Sequence, residues 1–280
     1  MEVFTSISNL RKYLVQQVQQ QQKIGLVPTM GALHEGHISL IQASKADNDV
    51  TVCSIFVNPT QFNNPEDLLK YPRTLEADCA MLEAAGCDVV FAPSAEEMYP
   101  EQPILKFNFG ALETVMESAS RPGHFNGVGI VVSKLFHIVK PHRAYFGQKD
   151  LQQVAVVSRM VADLSFDLEL VIAPTVREAD GLAMSSRNRR LNEEERHIAP
   201  HIFRIMESAK NALLKGESVS EVIKEAKQEF SAVDAFRLDY FEIVDLSDLQ
   251  PIDIIGSKGN NAICVAVFLG PVRLIDNLVF

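Results

Sequence analysis

Two histidines, His34 and His37, sit three positions apart in Gly31-Ala32-Leu33-His34-Glu35-Gly36-His37. The apolar run Ile24 to Val27 precedes them and reads as a buried strand. Apolar residues return at Ile38, Leu40 and Ile41, the first face of a helix. In an open α/β sheet, a strand, glycine-rich turn and helix in that order set a ligand site beyond the carboxyl ends of the strands. The helix start leaves backbone N–H groups unpaired and favours a phosphate. Imidazoles at i and i+3 share one face of the first turn. Both can donate hydrogen bonds to oxygens on which negative charge develops.

The same arrangement returns later. His142 to Phe146 is strand-like, Gly147-Gln148-Lys149-Asp150 is the turn, and Leu151, Val154, Val157 and Met160 mark a helix face. Lys149 can reach a phosphate as a point charge. Asp150 reads either as the helix cap or as a group that helps hold a nucleotide. A third stretch, 175–190, is the most basic part of the chain and carries Ser185, Ser186 and Arg187. Hydroxyls beside a guanidinium grip phosphates well. The stretch reads as a mobile active-site loop or as a basic linker, and its place between two apparent domains favours the loop. No Lys-Ser/Thr pair follows the glycines, so this is neither a Walker A loop nor a dinucleotide fingerprint. A zinc site on His34 and His37 lacks a third ligand at a standard spacing. No Ser-His-Asp or Cys-His set points to a covalent nucleophile.

Gln61 follows a strand end and Gln153 lies just inside a helix. Such amides would hold a carboxylate or hydroxyl without repelling a reacting carboxylate. The chemistry implied is direct attack on an α-phosphorus with pyrophosphate leaving. By itself Gln61 reads rather as a turn residue facing water, and Asp78 as surface charge. Arg121 to Gly127 reads as a polar loop able to wall a site. His137, inside an apolar run, reads as a core histidine.

The elements that must position these groups alternate along the chain. Strands are expected at 24–28, 49–57, 88–91, 142–146 and 167–172, with helices at 7–22, 37–46, 127–139 and from 151, and one helix or a helix pair around Tyr71-Pro72 over 66–85. Residues 104–118 read as a short strand followed by a helix. Beyond 190 the character changes: helices over 192–215 and 218–230, then strands over 238–244, 262–269 and 271–280. Pro200 interrupts the first of these helices or marks its start. The fold class is therefore α/β, a Rossmann-like parallel-sheet domain over 1–176 with a smaller α+β domain over 177–280. A chain of 280 residues with 47% hydrophobic content can bury such cores. Its 36 acidic against 26 basic residues, a net charge of −10, disfavour nucleic acid or an anionic membrane as partner. No apolar run is long enough to span a bilayer, and without a basic segment followed by an apolar one at the start no signal peptide is expected. Cys53, Cys79, Cys87 and Cys264 read as free buried thiols of a cytoplasmic protein.

Five stretches carry a resemblance over the whole chain: Pro28 to His37, Phe56 to Phe62, Arg121 to Phe125, Phe146 to Asp150 and Met184 to Asn188. The first alone resembles the wider His-x-Gly-His nucleotidyltransferases. Together they resemble the pantothenate synthetase, or pantoate–β-alanine ligase, family. The resemblance implies a homodimeric cytoplasmic enzyme. It uses ATP and Mg2+ to join pantoate to β-alanine through pantoyl-adenylate, and its C-terminal domain closes as a lid. It implies an ATP site of Met30, Gly31, Ala32, Leu33, His34, Glu35, Gly36, His37, Gly147, Gln148, Lys149, Asp150, Val176, Met184, Ser185, Ser186 and Arg187. His37 would be the proton donor, with His34, Lys149 and Arg187 beside it. Gln61 and Gln153 would bind pantoate, Gln61 also β-alanine, and Asp78 the magnesium. Departing pyrophosphate needs charge compensation more than a proton. Two rivals are a nucleotidyltransferase acting on a phosphorylated substrate and a non-catalytic nucleotide-binding protein.

Overall fold

The computed structural model describes residues 1–63 and 65–280. Its first part runs β1 (Glu2–Phe4), α1 (Ile7–Gln19), β2 (Ile24–Thr29), α2 (Glu35–Asp47), β3 (Val50–Ile55), α3 (Pro65–Lys70), α4 (Leu75–Ala84), β4 (Val89–Phe91) and α5 (Ala95–Met98). It continues with α6 (Glu117–Ser120), α7 (His124–Val139), β5 (Arg143–Gly147), α8 (Leu151–Asp163) and β6 (Glu169–Ala173). The six strands form one parallel sheet in the order β1-β4-β3-β2-β5-β6. Strand order reverses at β2/β5, because β3 and β4 extend to one side and β5 and β6 to the other. A crevice opens at such a reversal, between the two loops that leave in opposite directions. The His34 turn leaves β2 and the Lys149 turn leaves β5.

Both faces of the sheet are covered, so its strands are apolar throughout rather than alternating. Ile24, Leu26, Val52, Phe91 and Phe146 pack on one side with Leu10 and Leu14 of α1, Val132 and Phe136 of α7 and Val157 of α8. Val27, Cys53, Val90 and Tyr145 pack on the other with Ile38 and Ile41 of α2 and Leu82 of α4. Each such side chain contributes about 1.5–3 kcal/mol on burial.

The second part holds α9 (Glu193–Ile198), α10 (His201–Leu214), α11 (Val219–Ser231), β7 (Phe236–Asp245), β8 (Asn261–Leu269) and β9 (Val272–Val279). Its strands form an antiparallel sheet, β7-β8-β9, over a separate core that includes Leu182, Ile202, Met206, Phe230, Phe241 and Val265. Pro200 splits the expected 192–215 helix in two and caps α10, since proline cannot continue a helix already begun. The sheets are joined by a smaller apolar cluster in which Met116, Leu112 and Leu151 meet Val244, Leu249 and Cys264.

Two readings change and one strand was not foreseen. The strand expected near residue 104 is absent: 102–109 is irregular and runs into a 3-10 turn at Gly110–Glu113. Phe107 and Phe109 instead stack on each other and close over Gly129 of α7, and the Phe107 N–H is satisfied by Asn126 Oδ1 at 2.8 Å. His137 lies on the exposed side of α7 with its ring beside Phe166. The three-residue β1 gave too short a pattern to be read. Among the described residues no helix is long and apolar enough to cross a membrane.

Candidate active site

Past Thr29 the chain turns through two consecutive left-handed residues, Gly31 (φ 83°) and Ala32 (φ 52°). Ala32 has a Cβ, so its backbone carries a cost of about 1–2 kcal/mol. Asp78 of α4 offsets it: Oδ2 accepts from the Ala32 N–H at 3.0 Å and Oδ1 from the Leu33 N–H at 2.8 Å. Thr74 Oγ1 also donates to Asp78 Oδ2 at 3.2 Å. With 2% exposure, Asp78 has no room for a hydrated magnesium, and both oxygens already accept hydrogen bonds. The magnesium-ligand reading of Asp78 therefore does not fit, and neither does the surface-charge one. Its carboxylate sits in the concavity that successive N–H groups make for an anion. Among the described residues no cluster of three or more His, Cys, Asp or Glu could hold a metal.

The turn delivers the histidines to the start of α2. His34 Nδ1 accepts from the Gly36 N–H at 3.1 Å, and His37 Nδ1 accepts from the His34 N–H at 3.3 Å. The two imidazoles thus cap the helix reciprocally, 4.1 Å apart between ring centroids. An Nδ1 that accepts leaves the proton on Nε2. Burial, then the proximity of His37, Lys149 and Arg189, pushes His34 down to about 3. Burial pushes His37 down to about 4, with Asp150 opposing and Lys149 assisting. At neutral pH both are uncharged N–H donors.

Lys149 and Asp150 stand at the β5–α8 turn, within electrostatic reach of both rings. Asp150 is exposed and makes no side-chain cap on α8, so the capping reading fails. Asn277 of β9 holds the turn by donating to the Gln148 and Lys149 carbonyls at 2.9 and 2.8 Å. The 175–190 stretch folds back on itself through an Arg177–Ala183 bridge and a Met184 N–H to Val176 carbonyl bond of 3.0 Å. It lies over the first turn: Arg189 Nη2 donates to the Leu33 carbonyl at 3.1 Å, and a Cβ on Gly36 would come within 3.7 Å of Met184 Cβ. Ser185 Oγ accepts from the Arg187 N–H at 3.2 Å and starts the 3-10 turn Ser186–Arg190. Lys149, Ser185, Arg187 and Asp276 line one cavity. The three segments bearing the candidate phosphate groups therefore converge.

Gln61 is 6% exposed, not a turn residue facing water. Its Oε1 accepts from Asn58 Nδ2 at 3.1 Å, which aims the amide NH2 at Met30 Sδ, 3.0 Å away. Asn58 is fixed in turn by the Tyr99 hydroxyl at 2.9 Å and by the Gly127 carbonyl at 3.1 Å. His124, kept neutral by burial and by Arg121, bonds the Gln61 carbonyl through Nδ1 at 2.9 Å. Gln153 is half-buried and makes no side-chain hydrogen bond among the described residues. Its neighbour Gln152 is spent on structure, binding the Leu112 and Val115 carbonyls and the Glu117 N–H. Sequence reasoning missed the supporting roles of Asn58, His124, Arg189 and Asn277. Asn58 and His124 lie in stretches it marked, whereas nothing local singles out Arg189 or Asn277.

The arrangement gathers two neutral N–H donors, a lysine and an arginine on neighbouring segments, a set of groups that suits an anion. The family model Pantoate-beta-alanine ligase matches residues 2–279. The chain is 53% identical over 278 residues to a pantothenate synthetase of Bacteroides fragilis, covering 99% of this chain and 98% of that protein. It is similar to the crystal structure of pantothenate synthetase from Thermus thermophilus, with TM-score 0.93, 44% identity and 99% of each chain covered. It is also similar to a pantoate-beta-alanine ligase from Francisella tularensis complexed with beta-gamma ATP and beta-alanine, with TM-score 0.82 and 37% identity, over 100% of this chain and 97% of that one.

Proposed function

The chain belongs to the pantoate-beta-alanine ligase family, and we propose that it works through an acyl-adenylate at the cleft between the His34, Lys149 and Arg187 segments. The pantoate carboxylate attacks the α-phosphorus of ATP and pyrophosphate departs. The β-alanine amine then attacks the acyl carbon, loses a proton, and AMP leaves with the former carboxylate oxygen, giving pantothenate. A carboxylate cannot be displaced by an amine directly, since oxide is too poor a leaving group; adenylation replaces it with AMP.

The observation that carries this reading is that two neutral Nε2–H groups lie within electrostatic reach of Lys149, which shares a cavity lining with Arg187, while the Gln61 amide is held against Met30 just ahead of the same turn. Donors aimed at the α-phosphate stabilise the five-coordinate state without reorganising. His37 then acts by hydrogen bond and not as an imidazolium acid. The Gln61 NH2, with Gln153, suits a pantoate carboxylate and hydroxyls. The Francisella protein, complexed with beta-gamma ATP and beta-alanine, supports ATP as substrate here. Magnesium would arrive on the triphosphate and offset its charge. The reading extends to closure of the 177–280 domain as a lid, to a homodimer and to a cytoplasmic setting.

The test is mass spectrometry of reactions containing ATP, magnesium and pantoate. Without β-alanine the expected products are enzyme-held pantoyl-adenylate and pyrophosphate; with it, pantothenate and AMP. ADP and phosphate in place of AMP and pyrophosphate would contradict the reading.

A further inference from the structure

The two half-reactions leave one charge without a partner. The carboxylate of β-alanine stays ionised throughout, yet the amide groups around Gln61 are neutral. An anion drawn into a half-buried cleft needs a cation or several donors to repay its lost hydration. Most cations near the cleft are already engaged. Arg177 holds Asp276 through two bonds of 2.6 and 3.0 Å. Arg273 holds Glu117 at 2.8 Å and Asp239 at 2.8 Å. Arg189 is bonded to the Leu33 carbonyl. Lys149 and Arg187 stand with the phosphate groups. Arg121 remains. Among the described residues its side chain makes no hydrogen bond and no ion pair, although it is mostly shielded from water.

Its position is built. Arg121 ends α6 and starts the turn into α7, where its carbonyl accepts from the His124 N–H at 3.1 Å. The next residue's carbonyl, Pro122, accepts from Asn63 Nδ2 at 2.5 Å, and His124 bonds the Gln61 carbonyl. The Arg121 loop is therefore pinned to the Gln61 turn from both sides. On its other flank stands the Glu117–Arg273 pair. Burial and the repulsion of Arg187 lower the guanidinium pKa, with Glu117 opposing. A guanidinium held in this way is poised to gain from an anion.

We propose that Arg121 receives the carboxylate of β-alanine, the amine substrate of the second half-reaction. The proposal rests on the ligase reading. A planar fork suits a carboxylate through two parallel bonds. Anchoring it there holds the amine end of the short substrate toward the acyl carbon bound beside Gln61.

The experiment separates the half-reactions in Arg121→Gln and Arg121→Lys. Pyrophosphate release from ATP and pantoate is first followed in a single turnover without β-alanine. In the parent protein this measurement alone tests the ligase reading, so failure there is distinct from failure of the Arg121 assignment. Steady-state turnover is then measured against β-alanine and against 3-aminopropan-1-ol, in which a hydroxymethyl group replaces the carboxylate. Arg121→Gln is expected to leave the pyrophosphate burst unchanged. It should raise the β-alanine KM about ten- to hundred-fold, the worth of a hydrogen bond to a charged group, and shrink the preference over the amino alcohol by the same factor. Arg121→Lys, which keeps charge but loses the fork, should fall between. If Arg121→Gln fails to fold by circular dichroism, Arg121→Lys carries the same comparison. A slowed burst with an unchanged β-alanine KM would assign the guanidinium to the phosphates and overturn the proposal, as would an unchanged preference over the amino alcohol.

Discussion

A histidine at an anion site can act as a cation or as a neutral donor, and the backbone around α2 decides between them. Each Nδ1 is occupied by an N–H donor, so protonating either ring would break the helix cap and add charge beside Lys149 and Arg189. Asp150 is the group of opposite sign that counts against this. With folded values of about 3 and about 4 against about 6.5 when unfolded, the unfolded chain binds protons that the native one refuses. Stability contributed by the pair is complete above about pH 6.5 and declines as pH falls through that value toward the folded pKa values. The imidazole NMR signals of His34 and His37 should therefore stay put from pH 8 to 5.5 and move only in stronger acid. Lys149→Met should shift both midpoints upward. A midpoint near 6.5 for either ring in the parent would falsify the neutral-donor assignment. This state was not legible in the His-x-Gly-His spacing. The same two residues could have bound phosphate as cations, and the Nδ1 contacts exist only once α2 has formed. Asp78 is a related case: its place in the sequence says nothing of the two N–H groups that a distant turn points at it.

At the scale of elements, the Gln61 site depends on how closely α7 approaches the end of β3. Gly127 makes that approach possible. A Cβ there would clash with the Thr60 carbonyl oxygen and stand 2.7 Å from Gln61 Cα. Both are backbone atoms and cannot rotate away. Gly127→Ala must therefore lift the helix off the turn, at a cost of about 1–3 kcal/mol. The shift should loosen the Asn58 and His124 contacts that aim Gln61. The expected outcome is a pantoate KM raised about ten-fold, as for the loss of one hydrogen bond of about 1.4 kcal/mol, with a much smaller change for ATP. Gly129→Ala is the control. Its Cβ would first meet the Phe107 and Phe109 rings, at 3.0 and 2.9 Å, which can give way, so it should lower the melting temperature while sparing pantoate. Equal pantoate KM values in the two variants would refute the explanation. The elements themselves were readable where burial on two faces makes a strand continuously apolar, as in 24–29 and 50–55. The 102–109 segment misled because Phe107 and Phe109 alternate like strand residues, yet no neighbouring strand is there to take their backbone bonds.

For the molecule as a whole, the question is how a second domain with its own core comes to shape a site on the first. β9 answers it at Asn277. The residue is 3% exposed, and its one amide holds two carbonyls of the turn that carries Lys149, while the Gln148 amide bonds back to it at 3.3 Å. Beside it the Arg177–Asp276 pair fixes the start of the 175–190 stretch to the same strand. The sequence held no sign of this clasp, because its partners lie 128 and 129 residues apart and, although the Gly147–Asp150 turn was recognisable, nothing around Asn277 was. If the C-terminal domain closes as a lid, the clasp makes the Lys149 turn move with it, so domain position and phosphate binding become one variable. Asn277→Ala removes the clasp and leaves both cores intact. Part-buried carbonyls that lose their donor cost about 1 kcal/mol each. Hydrogen exchange of the 147–151 amides should quicken well beyond the rest of β5 and α8, and the ATP KM should rise about ten-fold while the pantoate KM stays within a factor of two or three. Unchanged exchange at 147–151 would mean that the first domain shapes the turn alone, and that closure of the second reaches the nucleotide only through the Met184 to Arg187 loop.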